Sequence, residues 1–238
     1  DARLSALAVS QGALSPSFDA SQTTYSVALG NDVETITLTP TASDAAATIT
    51  VNGNAVASGS ASASVAVPVG TTSISIVVTA ADGTSQLYTV AVTRAASSDA
   101  QLSGLSVSDG SLSPAFDPAQ SSYAVAVGND VDAITLTPAA SDVGATVTVA
   151  GNAVASGSAS APVALSVGTT SISVVVTAAD GTTHSYTIAV TRAASSDAQL
   201  SALAVSEGML SPSFEPAQSS YAVSVGNDVD AITLTPAA

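Results

Sequence analysis

The chain has 238 residues, of which 46% are hydrophobic and 3% aromatic, and its formal net charge is −15. Arg3, Arg94 and Arg192 are its only Lys or Arg residues, so it has no basic surface for binding nucleic acid or anionic lipid. Cysteine is absent, and no apolar run approaches the ~20 residues that span a bilayer, which excludes thiolate metal sites and argues against membrane insertion.

An internal repeat organises the whole sequence. Successive tyrosines at Tyr25, Tyr123 and Tyr221 are separated by 98 residues, and residues 197–238 match residues 99–140 at 35 of 42 positions. A unit of this length is typical of an independent sandwich domain and is too long for a solenoid repeat. We therefore predict a first repeat at 1–94, a linker at 95–101, a second repeat at 102–192, a linker at 193–199 and a partial third repeat at 200–238.

Apolar residues alternate with polar ones along each repeat, which is the period of a β-strand. The pair Asp82-Gly83 lies between two such runs and predicts a hairpin, because tight turns between strands favour residues that tolerate positive φ. The seven strands predicted for the first repeat are Leu4 to Val9, Thr24 to Leu29, Thr35 to Thr39, Thr48 to Val51, Ser64 to Val67, Ser73 to Thr79 and Leu87 to Thr93.

Seven short strands without a helical period predict an all-β fold of tandem seven-stranded sandwiches, arranged as beads on a string. The segment from Leu14 to Asp19 is predicted to cross between the two sheets, with Phe18 covering one end of the core. Tyr88, Val90 and Val92 alternate in phase, so we place all three inside the core of the first repeat.

Several short motifs of the repeat carry a resemblance to a known family. They are the opening run from Leu102 to Gly110, followed by Leu112-Ser113-Pro114 and Phe116, and in the first repeat Val51-Asn52-Gly53, with Ala80 to Thr84 before Tyr88-Thr89-Val90. These motifs resemble those of the cadherin-like β-sandwich family of bacterial surface proteins, which implies an Ig/cadherin-like sandwich fold and modules of large extracellular proteins, some of which are suspected of binding sugars. The motifs are structural, so they indicate the fold more directly than a function.

The residues that catalysis requires are scarce in this sequence. The single histidine, His184, stands where the first repeat has Gln86, and we interpret it as a solvent-facing strand residue. We therefore predict that the protein is not an enzyme and has no catalytic or cofactor-binding residues. The aromatic rings recur in register and are assigned to core packing, which leaves little stacking surface for a glycan; they are Phe18, Phe116, Phe214, Tyr25, Tyr88, Tyr123, Tyr186 and Tyr221.

Acidic residues in the loops suggest one metal hypothesis. If successive strands alternate in direction, the loops of the second repeat bring four aspartates to the pole that faces the first repeat, where Asp19 and Asp44 are expected; the four are Asp99, Asp130, Asp132 and Asp180. Oxygen ligands that converge on a domain junction suit Ca²⁺. The alternative is that these side chains serve turn geometry and solubility.

We interpret the chain as a structural repeat segment of a long, secreted bacterial protein at the cell surface. It would act in cell adhesion as the stalk or spacer of an adhesin, or as a building block of a filament or sheath. The alternative is a module whose repeats bind carbohydrate or protein multivalently. Expected partners are neighbouring repeats and other copies of the chain. The partial third repeat should expose apolar residues without an opposing sheet, so we expect either that the polypeptide continues beyond Ala238 or that another copy adds the missing strands.

Overall fold

A computed structural model describes residues 1–238, and its regular elements are all β-strands. The strands of the first repeat are β1 (Leu4–Val9), β2 (Thr24–Leu29), β3 (Thr35–Ile36), β4 (Leu38–Ala42), β5 (Thr48–Val51), β6 (Asn54–Val56), β7 (Val65–Ala66), β8 (Gly70–Thr79) and β9 (Ser85–Arg94).

The second repeat has the same nine strands in the same order. They are β10 (Leu102–Val107), β11 (Ser122–Val127), β12 (Ala133–Ile134), β13 (Leu136–Ala140), β14 (Thr146–Val149), β15 (Asn152–Val154), β16 (Val163–Ala164), β17 (Gly168–Thr177) and β18 (Thr183–Arg192). The partial third repeat contains β19 (Ala202–Val205), β20 (Leu210–Ser211), β21 (Ala222–Val223) and β22 (Leu234–Ala237).

Each complete repeat packs a large sheet against a smaller layer of paired strands. In the first repeat the large sheet has the order β2-β9-β8-β5-β6, and the opposing layer contains the pairs β1-β4 and β3-β7. The second repeat repeats this arrangement with β11-β18-β17-β14-β15 opposite β10-β13 and β12-β16. The predicted all-β tandem sandwich is therefore confirmed.

The structure divides the first repeat more finely than the predicted seven strands. The third predicted strand is interrupted at Thr37, so β3 and β4 pair with different neighbours. The additional strand β6 folds back on β5 because Asn52 and Gly53 both have positive φ, at 47° and 82°. Two such residues between strands are typical of a tight hairpin, a signal that the sequence analysis used only as a family motif.

The segment between β1 and β2 crosses from one sheet to the other, as predicted. Ser15 and Ser26 exchange two main-chain hydrogen bonds of 2.8 Å in an antiparallel bridge, so the crossing segment runs beside β2 in the opposite direction. Phe18 packs on the core with its ring stacked 6.0 Å from that of Tyr25. As a result, β2 runs in the same direction as β1 and pairs in parallel with β9.

The last strand of each repeat fills the centre of the core. Tyr88, Val90 and Val92 are fully buried, which confirms the predicted inward parity. The hydroxyl oxygen of Tyr88 accepts a hydrogen bond of 3.0 Å from the backbone N–H of Leu4, so this side chain ties β9 to β1 in the opposing layer. Tyr186 makes the same contact with Leu102 at 3.0 Å in the second repeat.

The prediction that His184 faces solvent is wrong. His184 has the inward parity of Tyr186 and is half-buried, with the two rings 4.7 Å apart. Its Nε2 atom is buried without a hydrogen-bond partner. The alternating pattern of β18 gave the signal, because His184 lies two residues before Tyr186 and therefore on the same face of the strand.

We expect Tyr88→Ala to destabilise the first repeat by about 3 to 5 kcal/mol, because it removes a fully buried ring and leaves the Leu4 N–H unpaired. The second repeat should unfold unchanged, since its counterpart Tyr186 is intact. Chemical denaturation of the whole chain measures both transitions. Tyr88→Phe is the matched control and should cost about 1 to 3 kcal/mol; a loss below ~1 kcal/mol for Tyr88→Ala would contradict burial of the ring.

We expect His184→Gln to stabilise the second repeat by about 1 kcal/mol, because it removes a buried nitrogen without a partner. Gln86 occupies the same position in the first repeat, and its amide donates to the carbonyl of Leu87 at 3.3 Å. The reciprocal variant Gln86→His should destabilise the first repeat by a similar amount. Denaturation midpoints that move in the opposite sense in either variant would refute this account.

Candidate functional site at the repeat junction

The exit from each repeat is fixed by the arginine that ends its last strand. The guanidinium of Arg94 donates from Nε and Nη2 to the carbonyl oxygen of Asn31 at 3.1 and 2.6 Å. In the second repeat, Arg192 donates in the same way to the carbonyl of Asn129 at 3.0 and 2.7 Å. This forked contact holds the loop after β2 or β11 against the end of the last strand, where the linker begins.

The linker is anchored to both repeats. On the side of the first repeat, the N–H of Ala95 donates to the carbonyl of Leu29 at 3.0 Å. On the side of the second, the carbonyl of Ser97 accepts a hydrogen bond of 3.0 Å from the N–H of Asp180. Only Ala96 lies between these two anchors, so the predicted linker 95–101 has little room to bend.

The turn between β17 and β18 holds the linker from the side of the second repeat. Thr182 donates its hydroxyl to the carbonyl of Ser98 at 3.1 Å, next to the Asp180 contact. Two residues later, Ala100 is buried in the core cluster of the second repeat. The second half of the linker therefore packs as part of the second repeat.

The carboxylate of Asp142 completes this contact. The N–H of Gly144 donates to it at 2.6 Å, and the nearby Ser97 side chain, followed by this hydrogen bond, lowers the pKa of Asp142 from its usual value of 3.8. These interactions favour the charged carboxylate of Asp142. Its contact with the linker is therefore fully present above pH 3.8 and is lost as the pH falls through the lowered pKa. Beside it, a cleft of about 210 Å³ is lined by both repeats and includes Asn31, Arg94 and Val143.

The sequence analysis did not identify Ser97, Asp142 or Thr182 as junction residues. Two signals were available in the sequence. The linker carries a serine pair in both copies, at Ser97-Ser98 and Ser195-Ser196. The hairpin turn Asp180-Gly181-Thr182 is a motif in which an aspartate caps the backbone two residues on and exposes neighbouring polar groups.

The four aspartates of the calcium hypothesis are not brought together. Asp180 and Asp99 lie at the junction with the first repeat, as predicted. Asp130 and Asp132 lie at the opposite pole, in the loop whose Asn129 carbonyl is held by Arg192 at the start of the next linker. The prediction of one shared pole is therefore wrong.

Asp19 and Asp44 are also displaced from their predicted position. Asp44 lies 3.4 Å from the N-terminal amine of Asp1, and the carbonyl of Asp19 accepts a hydrogen bond of 2.8 Å from the hydroxyl of Tyr25, near the start of β2. Both are therefore at the entry pole of the first repeat, away from the junction. The cause is the crossing segment, which makes β2 run in the direction of β1 and reverses the assumed alternation.

The junction carboxylates are occupied in local turns. One oxygen of Asp180 accepts hydrogen bonds from the N–H and hydroxyl of Thr182 at 2.8 and 2.7 Å. One oxygen of Asp99 accepts the N–H of Gln101 at 2.9 Å. No group of three or more His, Asp or Glu side chains gathers in a geometry that could hold a metal ion. These residues do not fit Ca²⁺, which needs about six to eight oxygen ligands, whereas they fit the turn-geometry alternative.

We expect calcium to change neither the folding of the repeats nor the angle between them, because the four candidate aspartates are divided between two poles. Circular dichroism and small-angle X-ray scattering, recorded with chelator and with millimolar CaCl₂, should give superimposable curves. Narrowing of the interdomain distance distribution on adding calcium, reversed by chelator, would contradict this expectation.

Comparison with known proteins identifies the family of the two complete repeats. The sequence model of the family described as cadherin-like beta sandwich domain matches residues 4–95 and 102–193. A protein of Evansella cellulosilytica named "Putative membrane protein" is 42% identical over 97 residues, which are 41% of this chain and 15% of that protein. This chain forms no helix of the length and apolarity needed to cross a membrane.

The solved structures to which this chain is similar include cadherin and fibronectin modules. A protocadherin gammaB7 fragment covers 79% of this chain and 49% of its own, at 16% identity and a TM-score of 0.34. The fibronectin(III)-like modules of Clostridium thermocellum CbhA cover 79% and 95%, at 15% identity and a TM-score of 0.22. Domains of the matched family are typically extracellular. Because the family model covers both complete repeats, the chain belongs to the cadherin-like β-sandwich domain family.

Proposed function

We propose that the chain is a structural repeat segment of a long, secreted bacterial protein, which holds a distal part at a set distance from the cell surface or packs into a filament or sheath. The observation that carries this proposal is the doubly anchored linker. With Ala95 bonded to one repeat and Ser97 to the next, successive repeats keep a limited range of orientations. A spacer needs this property, because flexible linkers collapse to a short mean extension.

The repetition of the junction supports the same function. Ala193 donates to the carbonyl of Val127 at 3.1 Å, as Ala95 does to Leu29. The serine pair of the second linker and the exit arginine Arg192 also recur in register. Each complete repeat carries the turn that receives the incoming linker and the arginine that holds the start of the outgoing one. Such repeats can be joined in a row without any additional component.

The extracellular and bacterial assignment rests on the family and on composition. A protein that is 42% identical to this chain over 97 residues comes from the bacterium Evansella cellulosilytica. The absence of cysteine suits domains that gain stability from core packing, and the net charge of −15 favours a soluble, mutually repelling surface. The role we propose is non-enzymatic, since the polar groups of the junction are engaged in turns and in the linker.

The alternative of a multivalent binding module has less support. Tyr25, Tyr88 and their counterparts Tyr123 and Tyr186 are buried, so these rings offer no stacking surface to a sugar. A cavity of about 160 Å³ beside Asn52 and Ser64 exists in the first repeat. The equivalent positions of the second repeat are Ala150 and Pro162, and no cavity is found there. Avidity requires the same site in each repeat.

The stiffness of the junction tests the proposal. We expect the double variant Asp142→Ala/Thr182→Val to broaden the distance distribution between the first and second repeats, because it removes the carboxylate that interacts with the Ser97 side chain and the hydroxyl that donates to Ser98. Pulsed electron paramagnetic resonance can measure this with one introduced cysteine in each repeat, since the chain has no native cysteine.

The matched control is Asp44→Ala/Thr84→Val, which alters the equivalent positions at the entry pole of the first repeat, away from the junction that is measured. The control should leave the distribution unchanged. A broad distribution in the unmodified chain, as wide as that of a flexible linker, would overturn the proposed spacer role.

A further inference from the structure

The second repeat is entered and left at the two ends of its last strand. The linker before it contacts the turn that precedes β18, where the N–H of Asp180 donates to the carbonyl of Ser97 at 3.0 Å. The linker after it begins at Ala193, one residue beyond Arg192 at the far end of β18. Tension along the chain therefore pulls β18 along its own axis, away from the preceding repeat.

Neighbouring strands hold β18 on both sides. In the parallel ladder with β11, the pairs run from Ser122 opposite Thr187 to Val127 opposite Arg192. On the other side, β17 pairs with β18 in antiparallel over its whole length. The hydrogen bonds of a ladder run across the strands, so a pull along β18 loads all of them together and does not open them one after another.

The core packing of β18 also opposes sliding. Tyr186, Ile188 and Val190 point inward and are fully buried. A slip of one residue would turn all three to the other face of the sheet, and a slip of two residues, about 6.6 Å, would place each side chain in the space of its neighbour. Either slip would also separate the Tyr186 hydroxyl from the N–H of Leu102, which it accepts at 3.0 Å.

The side chain of Arg192 fastens the end of β18 at which tension leaves the repeat. Its Nε and Nη2 donate to the carbonyl of Asn129 at 3.0 and 2.7 Å, and its Nη1 donates to the carbonyl of Leu165 at 2.8 Å. Asn129 follows β11 in the large sheet, whereas Leu165 follows β16 in the opposing layer. One side chain therefore ties the pulled strand to both layers of the sandwich.

The first repeat has the same fastening. Arg94 donates to the carbonyl of Asn31 at 3.1 and 2.6 Å and to that of Val67 at 3.4 Å. Two of the three Lys or Arg residues of this strongly acidic chain are therefore used at the same place in the fold. Hydrogen bonds from a charged donor are stronger than neutral ones, which suits a contact that must resist displacement.

We propose that β11, β18 and Arg192 form a tension clamp, which transmits a pulling force along the chain without unfolding the repeat. The contacts of Arg192 must break before β18 can slide past β11. The strands β2 and β9 with Arg94 form the same clamp in the first repeat. This function goes beyond the proposed spacer role, because holding two parts at a set distance does not by itself require resistance to a pulling force.

The test pulls on the second repeat within the whole 238-residue chain. Handles for optical tweezers are attached through Ser98→Cys and Ser196→Cys, which lie in the two linkers, since the chain has no native cysteine. The repeat should unfold in one event that releases about 30 nm of chain. With Arg192→Ala, the unfolding rate at constant force should rise on the order of 100-fold, in line with the loss of hydrogen bonds from a charged group. Arg192→Lys should give an intermediate rate, because an ammonium group cannot make the forked contact.

A control variant separates the clamp from general stability. Val147→Ala removes a buried apolar side chain from β14, which does not pair with β18. It should lower stability in chemical denaturation but raise the unfolding rate under force by about threefold or less, because its contacts are intact when β18 begins to slide. Equal effects of Val147→Ala and Arg192→Ala on the rate under force, for the same loss of equilibrium stability, would overturn the proposal.

The direction of the force gives an independent readout. Ala119→Cys and Val143→Cys replace exposed residues at the entry pole, in the loops before β11 and β14, and β18 and β17 lie between those two strands in the sheet. A pull between these handles crosses the ladder, so the repeat should unfold at a lower force, and Arg192→Ala should have little effect. Equal unfolding forces in the two directions would contradict a clamp. Because only one repeat is under tension, such a failure would leave the distance measurements that test the spacer role unaffected.

Discussion

The insertion of the last strand between its parallel and antiparallel neighbours is the constraint on which each repeat depends. β9 lies between β2 and β8, and its inward residues Tyr88, Val90 and Val92 have no exposed surface. The Tyr88 hydroxyl joins this sheet to β1 through the Leu4 N–H.

The same hairpin also builds the joints of the array. The turn between β17 and β18 receives the incoming linker through Asp180 and Thr182, and the end of β18 holds the outgoing loop through Arg192. Core packing and junction geometry therefore depend on the same strand, because β18 carries Tyr186 through the core and contacts one linker at each of its ends. A repeat that loses its last hairpin loses both its core and its contacts with its neighbours.

Local sequence patterns determined the strands, the period and the residues that face the core. The alternation of Tyr88, Val90 and Val92 predicted their burial, because successive side chains in a strand point to opposite faces of the sheet. The 98-residue period predicted the tandem organisation for a similar reason, since near-identical sequences fold in the same way. The same alternation places His184 on the inner face of β18; its replacement by Gln86 in the first repeat had predicted a solvent-facing residue, although both lie two positions before a buried tyrosine.

Tertiary structure alone decided which loops share a pole. Local patterns do not determine strand direction, which here depends on the crossing segment that bridges Ser15 to Ser26 and on the parallel pairing of β2 with β9, contacts between residues far apart in sequence. Asp130 and Asp132 were therefore placed at the wrong end, and the junction through Ser97 was not predicted. The sequence determined the strands and their faces, whereas long-range pairing set their order and direction, because those depend on the free energy of the assembled sandwich.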